Sequence, residues 1–180
     1  MTNKKQPVIV DTNVICLAGN TNYQEMPPLL AACALKCTLF INEFIKNKNS
    51  KIVLDIGREI IGEYERNIPK QPTVSRVFMK WLYQYLAKMS AEDLQDLIKL
   101  EKDSQGAYLD FPKDPRLGKF DPADRKYIAL ANAHKGHPEI IQGTDCKWWG
   151  FRDILLENGI RVTFLCEEYV KANYHLKIEG

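Results

Sequence analysis

The sequence predicts an α/β domain, a three-layer α/β/α sandwich around a short, mainly parallel central sheet. Three observations predict it. Short apolar, β-branched runs recur at 8–10, 51–54, 139–142 and 161–165. Stretches with helical periodicity separate them, which implies parallel βαβ connections. The chain has 180 residues, 45% of them hydrophobic, enough for one domain, 1–180, with a proper core.

The elements follow in order. Val8-Ile9-Val10 is a buried strand that ends abruptly at Asp11-Thr12-Asn13. Pro27-Pro28 opens a helix running from about Leu29 to Lys46, with proline where a first helical turn accepts it. A second strand, 51–54, ends at Asp55. Gly57 and Arg58 lead into a helix through about Asn67, which Pro69 and Pro72 stop. Two helices are expected over 73–103. The first carries Val77, Trp81, Tyr85 and Met89 on one side, and the second begins at Ser90 with Asp93 completing a capping box. This helical elaboration, around 70–120, ends in a Pro- and Gly-containing loop over 108–120. Asp121-Pro122-Ala123-Asp124 opens a helix to about His134. A third strand, 139–142, leads to Gly143-Thr144-Asp145. A helix over 151–157 stops at Asn158-Gly159, a fourth strand covers 161–165, and a last helix starts at Glu167.

A net charge of +2 is too small to mark a nucleic-acid binder by itself, so polyanion contacts would come from local patches. Lys46, Lys48 and Lys51, or Arg125 and Lys126, are such patches or else ordinary solvated surface. Five cysteines, Cys16, Cys33, Cys37, Cys146 and Cys166, show no zinc-site spacing. Cys33 and Cys37 share a helix face, and buried thiols in a reducing compartment are expected rather than disulfides or zinc. Residues 1–6 are polar, unlike a signal peptide, and no apolar run reaches the length of a membrane span. The expected setting is cytoplasmic, with no membrane.

In parallel sheets ligands bind beyond the carboxyl ends of the strands, and acids gather there. Asp11 ends the first strand, where it either caps the following turn or meets a cation. Asn13 lies on the same face and would orient Asp11 or a bound water. Asp145 repeats the pattern after Ile140-Ile141 and Thr144. If these strands are neighbours, the two carboxylates repel unless a cation lies between them. Asp55 is better read as a helix cap. On the helix after it, a phase of about 100° per residue puts Glu63 at the margin of the apolar arc of Ile56, Ile60, Ile61, Tyr64 and Ile68. Glu59 lies further out and Glu65 nearly opposite. Asp121 has the place of an N-cap and Asp124 that of an early helical acid. Asp124 shares its face with Tyr127, Ile128 and Ala131, which makes it the better ligand, with Asp121 a second one.

The order of these segments resembles the PIN-domain family. Val8-Ile9-Val10-Asp11-Thr12-Asn13-Val14-Ile15 is similar to that family's opening strand. Ile61-Gly62-Glu63-Tyr64 resembles its internal helix, and 121–131 the acid-led helix with an alanine-rich face. Ile140 to Asp145 is similar to its fourth motif, here ordered Gly143-Thr144-Asp145 instead of Thr-Gly-Asp. The stretch 162–170 resembles the closing strand and helix, with Cys166 where proline is common. The resemblance implies a metal-dependent ribonuclease that leaves a 5′-phosphate and a 3′-hydroxyl. Asp11, Glu63, Asp124 and Asp145 would be its catalytic and metal-holding acids, with Asp121 a further metal ligand and Asn13 and Thr144 in support. A carboxylate set without suitable His or Cys fits Mg²⁺ or Mn²⁺ rather than zinc. Arg125, Lys126 and Lys147 would meet RNA phosphates. Trp148 and Trp149 would stack on a base or pack in the core. In the toxin class of this family, a small antitoxin protein and a homodimer are the expected partners.

Two rivals stand beside this reading. A haloacid-dehalogenase-like phosphatase also opens with an apolar strand and Asp, but needs a second acid where this chain has Asn13. A non-catalytic PIN-like scaffold for RNA and protein would not need all four acids. The pair His134 and His137 sits beside Gly136 and Pro138 and reads as a turn.

Overall fold

Strand β1 (Val8–Val10) carries Ile9 and Val10 fully buried, and every other strand is organised around it. In the computed structural model, which describes residues 6–68, 70 and 73–178, β1 pairs in parallel with β4 (Glu139–Gln142), and β4 in parallel with β5 (Val162–Phe164). A second parallel pair joins β2 (Leu54–Asp55) to β3 (Leu97–Ile98). The bridge between Val8 and Ile52 connects the two along one edge, with Val53 N–H donating to the Val8 carbonyl at 2.9 Å. The order across the molecule is therefore β3-β2-β1-β4-β5. The fold is mixed α/β with short parallel sheets.

The helices are α1 (Thr12–Ala18), α2 (Pro28–Lys46), α3 (Glu59–Asn67), α4 (Val74–Ala87), α5 (Arg125–Ala133), α6 (Arg152–Glu157) and α7 (Glu167–Ile178). Pro28 occupies the first turn of α2, where its missing N–H loses no helical bond. Cys33, Ala34, Cys37, Ile41 and Phe44 recur every three or four residues and form the buried face of α2. By length and composition α2 is apolar enough to cross a membrane, contrary to the expectation that no run would qualify. Here that face packs against α1, α4 and α7. Gly159, at φ +78°, ends α6 in a left-handed turn that a side chain would strain.

Four differences from the sequence expectations have physical causes. Helix α1 was not anticipated: Asp11 caps it, and Val14, Ile15 and Ala18 bury one face just behind a polar tripeptide. The second helix expected from Ser90 is absent. Its cap forms, with Ser90 N and Oγ donating to Asp93 Oδ2 at 2.9 and 2.7 Å. The chain then makes one 3₁₀ turn, Asp93–Asp96, and passes into β3, because Leu97 and Ile98 gain a strand partner in β2. The helical elaboration of 70–120 thus shrinks to α4, with turns, 3₁₀ segments and β3 over the rest. Finally, Cys33 and Cys166 form a disulfide, not two buried thiols; their separation of 133 residues offers no spacing to read. Pro69 and Pro72, expected to stop α3, lie outside the described residues.

Candidate metal centre

Asp11 lies at the carboxyl end of β1, and its N–H donates to the Ile141 carbonyl of β4 at 2.9 Å. Its Oδ1 accepts from the Asn13 N–H at 2.8 Å, so the carboxylate starts α1 as an N-cap. The parallel pairing of β1 and β4 brings the chain at Asp145 to the same end of the sheet. Asn13 links the two strand ends: its Oδ1 accepts from Gly143 N at 2.9 Å and Thr144 N at 3.3 Å. A Cβ at position 143 would stand 2.4 Å from that oxygen, so only glycine allows the approach. Asp145 in turn caps the 3₁₀ segment Cys146–Phe151, accepting from Lys147 N at 2.9 Å.

Glu63 reaches the same region from α3, as its helical phase predicts. Its Oε2 pairs with Lys126 Nζ at 2.5 Å, and its Oε1 accepts from Tyr127 Oη at 3.1 Å. Since the Tyr127 hydroxyl has one proton, Thr12 Oγ1 donates to it at 2.7 Å. This ties α1, α3 and α5 into one buried network. Asp124 precedes α5 without capping it, and Oδ2 accepts from Trp148 Nε1 at 3.0 Å. Asp121 stands farther out, bound by Ala123 N and by Lys147 Nζ at 3.0 Å. Asp55 is a cap: both its oxygens accept from α3, at Glu59 N and Ile60 N. Glu59 pairs with Lys102 and Tyr108, and Glu65 with Arg58 and Tyr83.

The electrostatics single out Asp11. Burial above all, with the charges of Asp124, Glu63 and Asp145 adding to it and the Asn13 N–H opposing, pushes its carboxyl up from 3.8 to about 8. Burial also raises Asp124, with Asp145 and Asp121 adding to it and the Trp148 N–H and Lys126 opposing. Asp121 is lowered, chiefly by Lys147. Asp11, buried and facing three acids, is the group that a cation would relieve most. Among the described residues the acids form no group of three whose donor oxygens lie within 4.8 Å of one another.

The basic residues divide. Lys126 is 7% exposed and directed at Glu63 and the Ala123 carbonyl. Arg125 is held by the Gly118 and Phe120 carbonyls and lies over the Phe111 ring. Lys147 remains on the surface beside Asp121. Trp148 is core, and Trp149 packs on Phe164 between Arg152 and Lys171. His134 and His137 do make a turn, with His134 Nε2 beside Asp96 at 3.1 Å. Tyr127 and Trp148 hold Glu63 and Asp124, with Thr12 behind Tyr127; the sequence offers Thr12 only as part of the Asp-Thr-Asn segment, Tyr127 as part of a buried helix face and Trp148 as a stacking or core residue. A cleft of about 740 Å³ opens beside Asp121, lined by Phe120, Lys147, Trp148, Phe151 and Tyr174. No protein-family model, curated protein or solved structure matches this chain.

Proposed function

We propose that the chain is a PIN-like, three-layer α/β/α nuclease that hydrolyses RNA with Mg²⁺ or Mn²⁺ at Asp11, Glu63, Asp124 and Asp145. The observation that carries this reading is the buried Asp11 carboxylate, whose charge is opposed by those of three other acids. The donor set fits a hard divalent cation: four carboxylates delivered by β1, α3, the start of α5 and the turn after β4. When bound, such an ion polarises a phosphodiester and lowers the pKa of an attacking water.

The remaining chemistry belongs to the chain. Asn13 and Gly143 hold the ends of β1 and β4 together, so Asp11 and Asp145 keep their spacing. Tyr127 orients Glu63, and Trp148 orients Asp124. Lys147, exposed at the cleft, meets a backbone phosphate. Lys126 balances Glu63 in the metal-free fold. A cytoplasmic setting and a toxin role, with an antitoxin partner and a homodimer, are part of the same proposal.

The test is cleavage of a labelled RNA with Mg²⁺ or Mn²⁺. Activity is expected to vanish in EDTA and in Asp11→Asn. Turnover that persists in either refutes the metal-carboxylate mechanism. A non-catalytic scaffold gains support from one observation, the Lys126 ammonium already paired with an acid of the cluster. Calorimetric titration with Mn²⁺ separates the two: the nuclease binds the ion and loses it in Asp11→Asn, while the scaffold does not bind it.

A further inference from the structure

Three of the five cysteines meet at one buried point. Cys33 and Cys37 lie one turn apart on α2 and face Cys166, just before α7. Their sulfurs all lie within 4.8 Å of one another, and none of the three residues is more than 2% exposed. Cys33 and Cys166 are bonded, and Cys37 Sγ lies 3.9 Å from Cys166 Sγ. A thiolate metal centre would need all three sulfurs as ligands, and the bond consumes two. What remains is a disulfide with a third sulfur in contact, the arrangement that thiol–disulfide exchange requires.

The bridge lies on a route to the acids. α7 packs against α2 and the 146–151 segment. Tyr174 closes on Gly150, where a Cβ would stand 2.3 Å from its hydroxyl. That segment begins at the cap residue Asp145 and carries Trp148, which holds Asp124. We propose that Cys33, Cys37 and Cys166 form a redox site whose state sets how firmly α7 holds 146–151 against the acids.

The co-reactant is a dithiol. One of its thiolates attacks a sulfur of the bridge, and its second thiol displaces the mixed disulfide. The protein S–S bond is broken, one S–S bond forms in the reductant, and its two protons end on Cys33 and Cys166. Burial pushes the Cys37 thiol up to about 12, so it stays protonated while the site is closed. Once α7 lifts and water enters, ionised Cys37 attacks Cys166 Sγ. A Cys37–Cys166 bond forms, and Cys33 leaves as a thiolate that takes up a proton.

The test does not depend on nuclease activity. Trypsin cuts at Lys36, so the peptides of Cys33 and Cys37 separate. A non-reduced digest of the air-oxidised protein is expected to yield a Cys33–Cys166 bridged peptide, lost with dithiothreitol. C33S is expected to give Cys37–Cys166 instead; no bridged peptide in C33S removes Cys37 from the site. Reduction is expected to speed amide exchange over 146–151 and 167–176 by on the order of tenfold, leaving β1 and β4 unchanged. C166S should behave as the reduced protein under both conditions. A missing bridged peptide in the oxidised protein, or equal exchange of 146–151 in both states, overturns the proposal.

Discussion

Asp11→Asn should stabilise the metal-free protein while abolishing its chemistry. The Asp11 carboxyl titrates at about 8 in the fold against an ordinary 3.8. Between these values the folded state binds the proton that the unfolded chain has released. Stability therefore falls as pH rises through this window. At roughly 1.4 kcal/mol per pH unit, the full interval sets a ceiling of about 6 kcal/mol. Water entering the opened cluster recovers part of this, so a gain of about 2–3 kcal/mol is expected for the variant at pH 8. Asparagine keeps an oxygen for the Asn13 N–H and presents an amide donor to the surrounding acids. The assay is urea unfolding of both proteins in EDTA at pH 5 and pH 8. The variant's advantage should grow between the two, and added Mg²⁺ should shrink it by binding the wild-type fold alone. A variant less stable than wild type at pH 8 in EDTA, or an advantage independent of pH, refutes the electrostatic reasoning.

Other substitutions test the frame that holds the acids. Gly143→Ala drives a methyl group against Asn13 Oδ1 and should cost about 1–3 kcal/mol in denaturant unfolding, with loss of cleavage as the ends of β1 and β4 separate. Tyr127→Phe removes the hydroxyl between Thr12 and Glu63; a loss of about 1 kcal/mol and a raised Mn²⁺ requirement for cleavage are expected from melting and from metal titration of activity. Lys147→Ala breaks an exposed pair with Asp121. It should leave the denaturation midpoint unchanged and weaken RNA binding, with a shallower salt dependence in a filter-binding series.

The candidate acids were legible wherever local pattern decides position. Asp11 follows three apolar residues, and a strand end must put its next polar side chain at the sheet's edge. Helical phase separated Glu63 from Glu59 and Glu65 because α3 is amphipathic over its whole length. Asp55 fell to its capping role because a helix starts four residues later. What escaped depends on contacts distant in the chain. Strand β3 exists because β2 offers Leu97 and Ile98 a partner, which overrode the capping signal at Ser90. Lys126 is next to a surface-like arginine in sequence, yet it turns inward to Glu63, 63 residues away. The disulfide joins residues on α2 and before α7 that no spacing links. Helix α1 was hidden because Asp11-Thr12-Asn13 reads as a turn while also serving as a helix start.

The most direct test is the chemistry of the cut ends. A defined RNA incubated with the protein and Mg²⁺ should yield fragments with 5′-phosphate and 3′-hydroxyl ends by mass spectrometry, and Asp11→Asn should yield none. Fragments ending in 2′,3′-cyclic phosphate, or cutting that continues in EDTA, would contradict hydrolysis at a metal held by these acids.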